Sequence, residues 1–208
     1  MTVATQRTRR RQQREETRRQ ILDAAQAFLQ ERPYRELSVD ALMGRTGHTR
    51  TVFYRHFDDI PSLVLALMQD VGGELVEVSQ QWARADAATP EEARKGLAML
   101  VDFHVRYGRL VHAVAEASHH DDVVEEAYAS MREWFVTLTT QAIERRIAQG
   151  GIAALDAPQI ARALLAMLNG YLDETLGRDS GTDPERVLDA VWTIWTRTLF
   201  PGRAGAGA

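Results

Sequence analysis

No cysteine occurs among the 208 residues, which excludes a disulfide framework, thiolate metal ligation and thiol redox chemistry. Nor is there an uncharged apolar run near the ~20 residues that a membrane-spanning helix needs. The opening stretch is polar and arginine-rich, without the apolar centre of a signal peptide. The expectation is a soluble, cytoplasmic protein that does not engage a membrane. No phosphate-cradling glycine loop, serine–histidine–acid signature or paired-carboxylate motif stands out, so neither catalysis nor a cofactor is expected. Six histidines are present, but the densest group, His119-His120-Asp121-Asp122, points its neighbouring rings apart and lacks a second cluster to complete a metal site. Its acids suit the start of a helix instead. Alternating strand patterns and internal repeats are missing too, and the low-complexity stretch is the Gly/Ala tail 202–208.

Helical periodicity and a lopsided charge are what remain. The net charge of -4 conceals 12 Arg against 6 Asp and Glu in residues 1–57, a net of +6, and 13 Lys and Arg against 23 acids in the rest, a net of -10. One end is suited to a polyanion, the other to solubility. The run Arg7, Arg9, Arg10, Arg11, Arg14, Arg18 and Arg19 comes with almost nothing apolar until Ile21, so residues 1–13 read as a disordered basic arm.

Ile21, Leu22, Ala25, Phe28 and Leu29 then form one face of a helix over 14–31, closed by Pro33. Ser38 stands at an N-cap, Val39, Leu42 and Met43 share a face, and Gly47 breaks the pattern. Thr49 is placed to cap a third helix, Arg50 to Arg55, with Val52 and Phe53 inward. Asp58-Asp59-Ile60-Pro61 starts a long helix that ends before Pro90. Further helical patterns cover 91–106, 109–117, 121–149, 157–177 and 184–199. The predicted fold is all-α with about nine helices: a three-helix head over 14–60, a helical ligand-binding and dimerisation domain over 61–201, and a flexible tail over 202–208.

Two short helices about a glycine turn, behind a longer supporting helix, make a helix-turn-helix reading head. A short helix inserted in the major groove needs donors and acceptors on its exposed side. Arg50 suits a guanine edge and Thr51 a thymine methyl, while the hydroxyls of Thr49 and Tyr54 suit phosphates. Arg55 and His56 either neutralise phosphate charge or form a solvated face.

Arg18, Ile21, Leu22, Ala25, Phe28, Leu37-Ser38-Val39, Leu42, Thr46-Gly47-His48-Thr49-Arg50 and Val52-Phe53-Tyr54-Arg55-His56-Phe57 together resemble the DNA-binding domain of the tetracycline-repressor (TetR) family, over residues 18–63. The resemblance implies a transcriptional regulator of double-stranded operator DNA, by family habit a repressor, and supports the phosphate roles of Thr49 and Tyr54. One departure stands out. The family follows its Tyr-x-x-Phe element with a Ser-Lys-Glu-like start whose lysine meets the DNA backbone, and here Asp59-Ile60-Pro61 align with it. Arg10, Arg11 and Arg14 in the arm are candidates to replace that contact, the alternative being a solvated tail.

The helices over 157–177 and 184–199 carry apolar stripes too wide for one neighbour. Leu164, Leu168, Leu172, Val187, Val191 and Ile194 are therefore candidates for a four-helix interface in a homodimer, against the alternative of an internal core. One head also reads too few base pairs for useful specificity. Phe103, Tyr107, Met131, Trp134, Leu138 and Trp195 are large and apolar, and taken singly each is more often core than ligand wall.

The Arg32-Pro33 turn, Ser38-Val39-Asp40, Met131-x-x-Trp134, Asn169 and Ile194-Trp195 resemble more closely a mycobacterial branch of the family. That resemblance implies a long apolar tunnel for a lipophilic small molecule, walled by Met131, Trp134 and Trp195, with Asn169 as its polar anchor. A structural hydrogen bond is the other reading of Asn169. Release of DNA on ligand binding is the expected response, with an effector-independent DNA-binding dimer as the alternative and a helical small-molecule enzyme as a remote one. Gly72-Gly73 interrupts the long connecting helix, either for close helix packing or as a soft point that lets ligand binding move the heads.

Overall fold

The computed structural model describes residues 3–84, 89–178 and 181–200, with backbone alone at 3–5 and 78–84. All regular structure among them is helical. The elements are α1 Val3–Glu31, a 3₁₀ turn Tyr34–Glu36, α2 Val39–Thr46, α3 Arg50–Phe53, α4 Ile60–Arg84, α5 Pro90–Ser118, α6 Asp122–Ala148, α7 Ala157–Leu172, a π-helical turn Asp173–Gly177, and α8 Pro184–Leu199. The tail over 202–208 lies outside the described residues. The chain forms two compact units, one made of residues up to Asp70 with Ala113–Glu125, the other of Val71–His112 with the chain from Glu126.

Among the described residues there are eight α-helices, close to the expected count of about nine, because the stretches 91–106 and 109–117 are one helix, α5. Gly108 does not break it, since buried Val101 and Phe103 before it and Leu110 and Val114 after it share the gain of one continuous helix. The first helix also starts earlier than 14, at Val3. Its added turns consist mainly of Arg and Gln, which are good helix formers, and they extend a helix already nucleated by the buried Ile21–Leu29 face.

The first unit is organised about Ile21, Leu22, Ala25, Phe28 and Leu29 of α1, Leu42 and Met43 of α2, Phe53 of α3, and Leu63, Val64 and Leu67 of α4, all buried. Local capping sets where its helices begin. Ser38 Oγ accepts from the Ala41 amide at 3.2 Å, an interaction worth about 1 kcal/mol. Asp59 and Ser62 form a reciprocal capping box, with the Ser62 amide donating to Asp59 Oδ1 at 2.8 Å and the Asp59 amide to Ser62 Oγ at 3.2 Å. The Asp59-Ile60-Pro61 departure thus builds a helix start. At the His119–Asp122 turn, Asp121 Oδ1 accepts from the amides of Val123 and Val124 at 3.1 and 3.0 Å, so that acid caps α6.

The second unit buries Leu97 and Val101 of α5, Ile143 of α6, Leu164, Leu168 and Leu172 of α7, and Val187, Leu188, Val191, Trp195 and Leu199 of α8 in one core. Asp156 with Pro158, and Asp183 with Pro184, start α7 and α8 by side-chain caps at 3.2 and 3.0 Å. Leu164, Leu168, Leu172, Val187 and Val191 are buried within their own chain, and of the six candidates Ile194 alone is exposed, at 45%. The stripes are wide because each helix packs on more than one neighbour of its own domain, α7 on α8 among them.

Candidate nucleic-acid interface

Between α2 and α3 the chain turns at Gly47, whose φ of 70° lies in the left-handed region that a side chain disfavours. Thr49 then takes the N-cap position of α3, and its backbone carbonyl accepts from the Val52 amide at 2.9 Å. Its hydroxyl makes no cap hydrogen bond and faces solvent with the rest of the residue. Phe53 is fully buried and anchors the helix, while Val52 is only half-buried. Arg50, Thr51, Tyr54 and Arg55 are exposed, as their spacing predicts, Tyr54 with half its surface open. Its ring stands edge-on to Phe53, with centroids 5.3 Å apart.

Polar contacts organise this surface. Arg50 Nη1 donates to Asp40 Oδ2 at 2.7 Å, and Arg50 Nη2 lies 3.5 Å from the Tyr54 hydroxyl. Arg14 Nη2 donates to the Arg55 carbonyl at 3.3 Å, tying the basic part of α1 to the end of the α3 turn. Arg10, Gln13, Arg14 and Thr17 of α1 face His48, Val52, Arg55 and His56 across an open groove of about 610 Å³. Arg18 lies over the Phe57 ring, 5.2 Å from its centroid. His56 is held below its usual pKa by its partial burial and by Arg14, Arg18 and Arg55, with Glu15 opposing. The groove is thus an electropositive concavity that favours an anion and disfavours another proton. Arg10 and Arg14 belong to it; Arg11 is exposed on the same helix outside its lining.

Gln13, Thr17, His48 and Asp40 are not marked as site residues by sequence reasoning. His48 Nε2 lies 3.0 Å from Gln20 Oε1, a pairing across 28 residues that no local pattern signals. Asp40 reads simply as an acid in the first turn of α2, and its pairing with Arg50 is tertiary.

The ligand candidates of the second unit separate. Phe103 is buried and its ring lies 5.0 Å from that of half-buried Tyr107. Half-buried Trp134 stands against Phe135 with centroids 5.0 Å apart, and Met131 and Leu138 are half-buried on the same helix. Trp195 is packed into the core with Leu168, Val191 and Leu199. Asn169 is exposed on α7, while the apolar Leu168 and Leu172 take the buried side. An exposed amide is satisfied by water and needs no ligand carbonyl. Among the described residues there is no His/Cys/Asp/Glu grouping able to hold a metal ion, and no helix long and apolar enough to cross a membrane.

Residues 21–67 match the bacterial regulatory proteins of the tetR family, and residues 93–201 match the C-terminal domain of transcriptional regulator EthR. The HTH-type transcriptional regulator EthR of Mycobacterium tuberculosis is 26% identical over 184 residues, covering 86% of this chain and 85% of its own. Among solved structures, the SmeT–triclosan complex superposes with a TM-score of 0.71 at 20% identity, covering 93% of this chain and 95% of that one. A transcriptional regulator from Saccharomonospora viridis in complex with choline gives 0.69 at 19% identity, covering 88% and 96%. At these identities the two structures establish the fold.

Proposed function

The chain belongs to the TetR family of bacterial transcriptional regulators, with an EthR-type C-terminal half, and from that premise we propose that it is a cytoplasmic homodimeric repressor released from its operator by a lipophilic small molecule. One observation carries the DNA-binding part: α3 is anchored by buried Phe53 and offers Arg50, Thr51, Tyr54 and Arg55 to solvent together. Such a helix fits the major groove, Arg50 and Thr51 meeting base edges and the hydroxyls of Thr49 and Tyr54 the flanking phosphates. The α1 groove, with Arg10 and Arg14, takes over the backbone contact that Ile60 does not make.

Two copies place two heads on successive half-sites. The dimer face consistent with the burial pattern is made of exposed positions of α7 and α8, Ala163, Ala166 and Gly170 on the one and Ile194 on the other. The small residues permit close approach of a second copy.

Ligand gating is supported by the match to the EthR C-terminal domain, and the ligand-bound SmeT and choline-bound relatives share the fold. The wall candidates are Phe103, Tyr107, Met131, Trp134 and Leu138, without an Asn169 anchor. A ligand favouring a dimer whose heads no longer match the half-site spacing lowers operator affinity by linkage. The exposed Asn169 and core-packed Trp195 favour the second reading, an effector-independent dimer.

Gel shifts on the duplex upstream of its own gene test the proposal. A retarded complex that survives excess random duplex is expected, together with its loss on adding lipophilic ketones, esters or amides that raise the melting temperature. Binding no tighter than to random duplex would overturn the regulator role at that site. Specific binding unaffected by stabilising ligands would leave the effector-independent dimer.

A further inference from the structure

The solvent side of the reading head carries an acid where a polyanion is to bind. Asp40 lies in the first turn of α2 and Arg50 opens α3. Their side chains meet across the turn, Arg50 Nη1 donating to Asp40 Oδ2 at 2.7 Å. Arg50 Nη2 reaches toward the Tyr54 hydroxyl, 3.5 Å away. Both members of the ion pair stay open to water, with 57% of the Arg50 side chain and 69% of that of Asp40 exposed. Exposed pairs add little to folding stability, and a carboxylate on this face repels phosphates. Apart from its favourable place in the first turn of α2, Asp40 contributes to this face mainly through what it does to Arg50.

What it does is orient. The carboxylate sits at the positive end of α2, which holds it in place. A guanidinium is a rigid plane with five donors. With Nη1 engaged by Asp40 and Nη2 steered by Tyr54, the plane of Arg50 is restrained at two points. Arginine identifies guanine by placing two donors on O6 and N7 at once, so discrimination depends on that plane, while attraction to phosphate needs only the charge.

We propose that Asp40 is a positioning residue for base readout, holding the Arg50 guanidinium in one orientation against a guanine edge. This rests on the reading of α3 as the recognition helix. Asp40 touches no base and acts through Arg50. Its removal has two effects of opposite sign: discrimination weakens at one base pair in each half-site, while affinity for random duplex holds or rises because a negative charge has left the DNA-facing side. A purely structural acid would instead weaken both together.

The test uses the full-length protein. Preferred sites are selected from a randomised duplex pool with wild type. Wild type, Asp40→Ala, Asp40→Asn, Arg50→Ala and the Asp40→Ala/Arg50→Ala double variant are then titrated against that site, its single-base-pair variants and random duplex at one salt concentration. Asp40→Ala is expected to reduce the preference for guanine at one position about tenfold, with Asp40→Asn between it and wild type. The double variant should match Arg50→Ala at that position, because the two residues act as one unit. Urea midpoints within error of wild type would show that the fold is kept. Wild-type discrimination by Asp40→Ala, additive losses in the double variant, or an equal loss on random and selected duplex would each overturn the proposal. Full discrimination by Arg50→Ala would instead remove the premise that Arg50 reads a base.

Discussion

Gly108 in α5 and Gly177 in the π-helical turn meet backbone to backbone: a Cβ on Gly108 would stand 2.8 Å from the Leu176 carbonyl oxygen and 3.3 Å from Gly177 Cα. A Cβ on Gly177 would lie 2.9 Å from Asp173 Oδ1, a carboxylate that accepts from His112 Nδ1 at 2.7 Å and Arg178 Nε at 3.2 Å. The alanine methyl has nowhere to go because its neighbours are main chain. Gly108→Ala should therefore destabilise the protein by about 1–3 kcal/mol, although alanine favours the helix by about 1 kcal/mol. Urea unfolding checks the sign.

Gly72 and Gly73 present the opposite case. Among the described residues nothing lies within 4 Å of a Cβ at either position, so close packing against them does not account for the pair. Alanine at each should stabilise α4 by about 1 kcal/mol, seen as a higher urea midpoint. If the pair serves as a soft point, the stabilised variant should bind DNA as wild type does and release it less completely on ligand addition.

The groove and the recognition helix separate charge from sequence reading. Arg10→Ala/Arg14→Ala should flatten the dependence of log affinity on log salt by about 0.9 for each phosphate no longer neutralised, leaving the ranking of sites intact. Thr51→Ala should change that ranking with little effect on the salt slope. Salt titrations on selected and mismatched duplexes distinguish the two.

His104 is buried, 6% exposed, with Nδ1 2.9 Å from the Leu100 carbonyl oxygen, to which it donates. Burial lowers its pKa from the ordinary 6.5, against the smaller effects of the Leu100 hydrogen bond and Asp173. The unfolded chain therefore takes up the proton first as pH falls. Stability should be unaffected by this group above the unfolded value and decline from there through the folded value, at up to about 1.4 kcal/mol per pH unit. His104→Gln should flatten that part of the pH profile of urea unfolding.

Burial predicts distinct phenotypes along the α7–α8 stripes. Leu168→Ala, in the core, should cost about 2–5 kcal/mol in stability. Ile194→Asp, on the exposed side, should keep the fold and weaken self-association, which sedimentation velocity resolves.

From the residues alone come the all-α class, the helix starts at Ser38 and Asp59, the Gly47 turn and the outward set Arg50, Thr51, Tyr54 and Arg55. Each is a local matter of capping, backbone freedom or helical spacing, acting within a turn or two of chain. The tertiary structure alone decided the rest. The stretches 91–106 and 109–117 join into one helix only in the structure, where Gly108 lies against the backbone of Leu176 and Gly177. Wide apolar stripes do not reveal whether their second neighbour is in the same chain, and only the structure shows Leu164, Leu168, Leu172, Val187 and Val191 buried within their own chain. Asn169 took the exposed side because Leu168 and Leu172 compete for the buried one. The pairing of Asp40 with Arg50 and of Arg14 with the Arg55 carbonyl depends on how α1, α2 and α3 cross, which is set by packing around Phe53 and Leu42 and not by any local pattern.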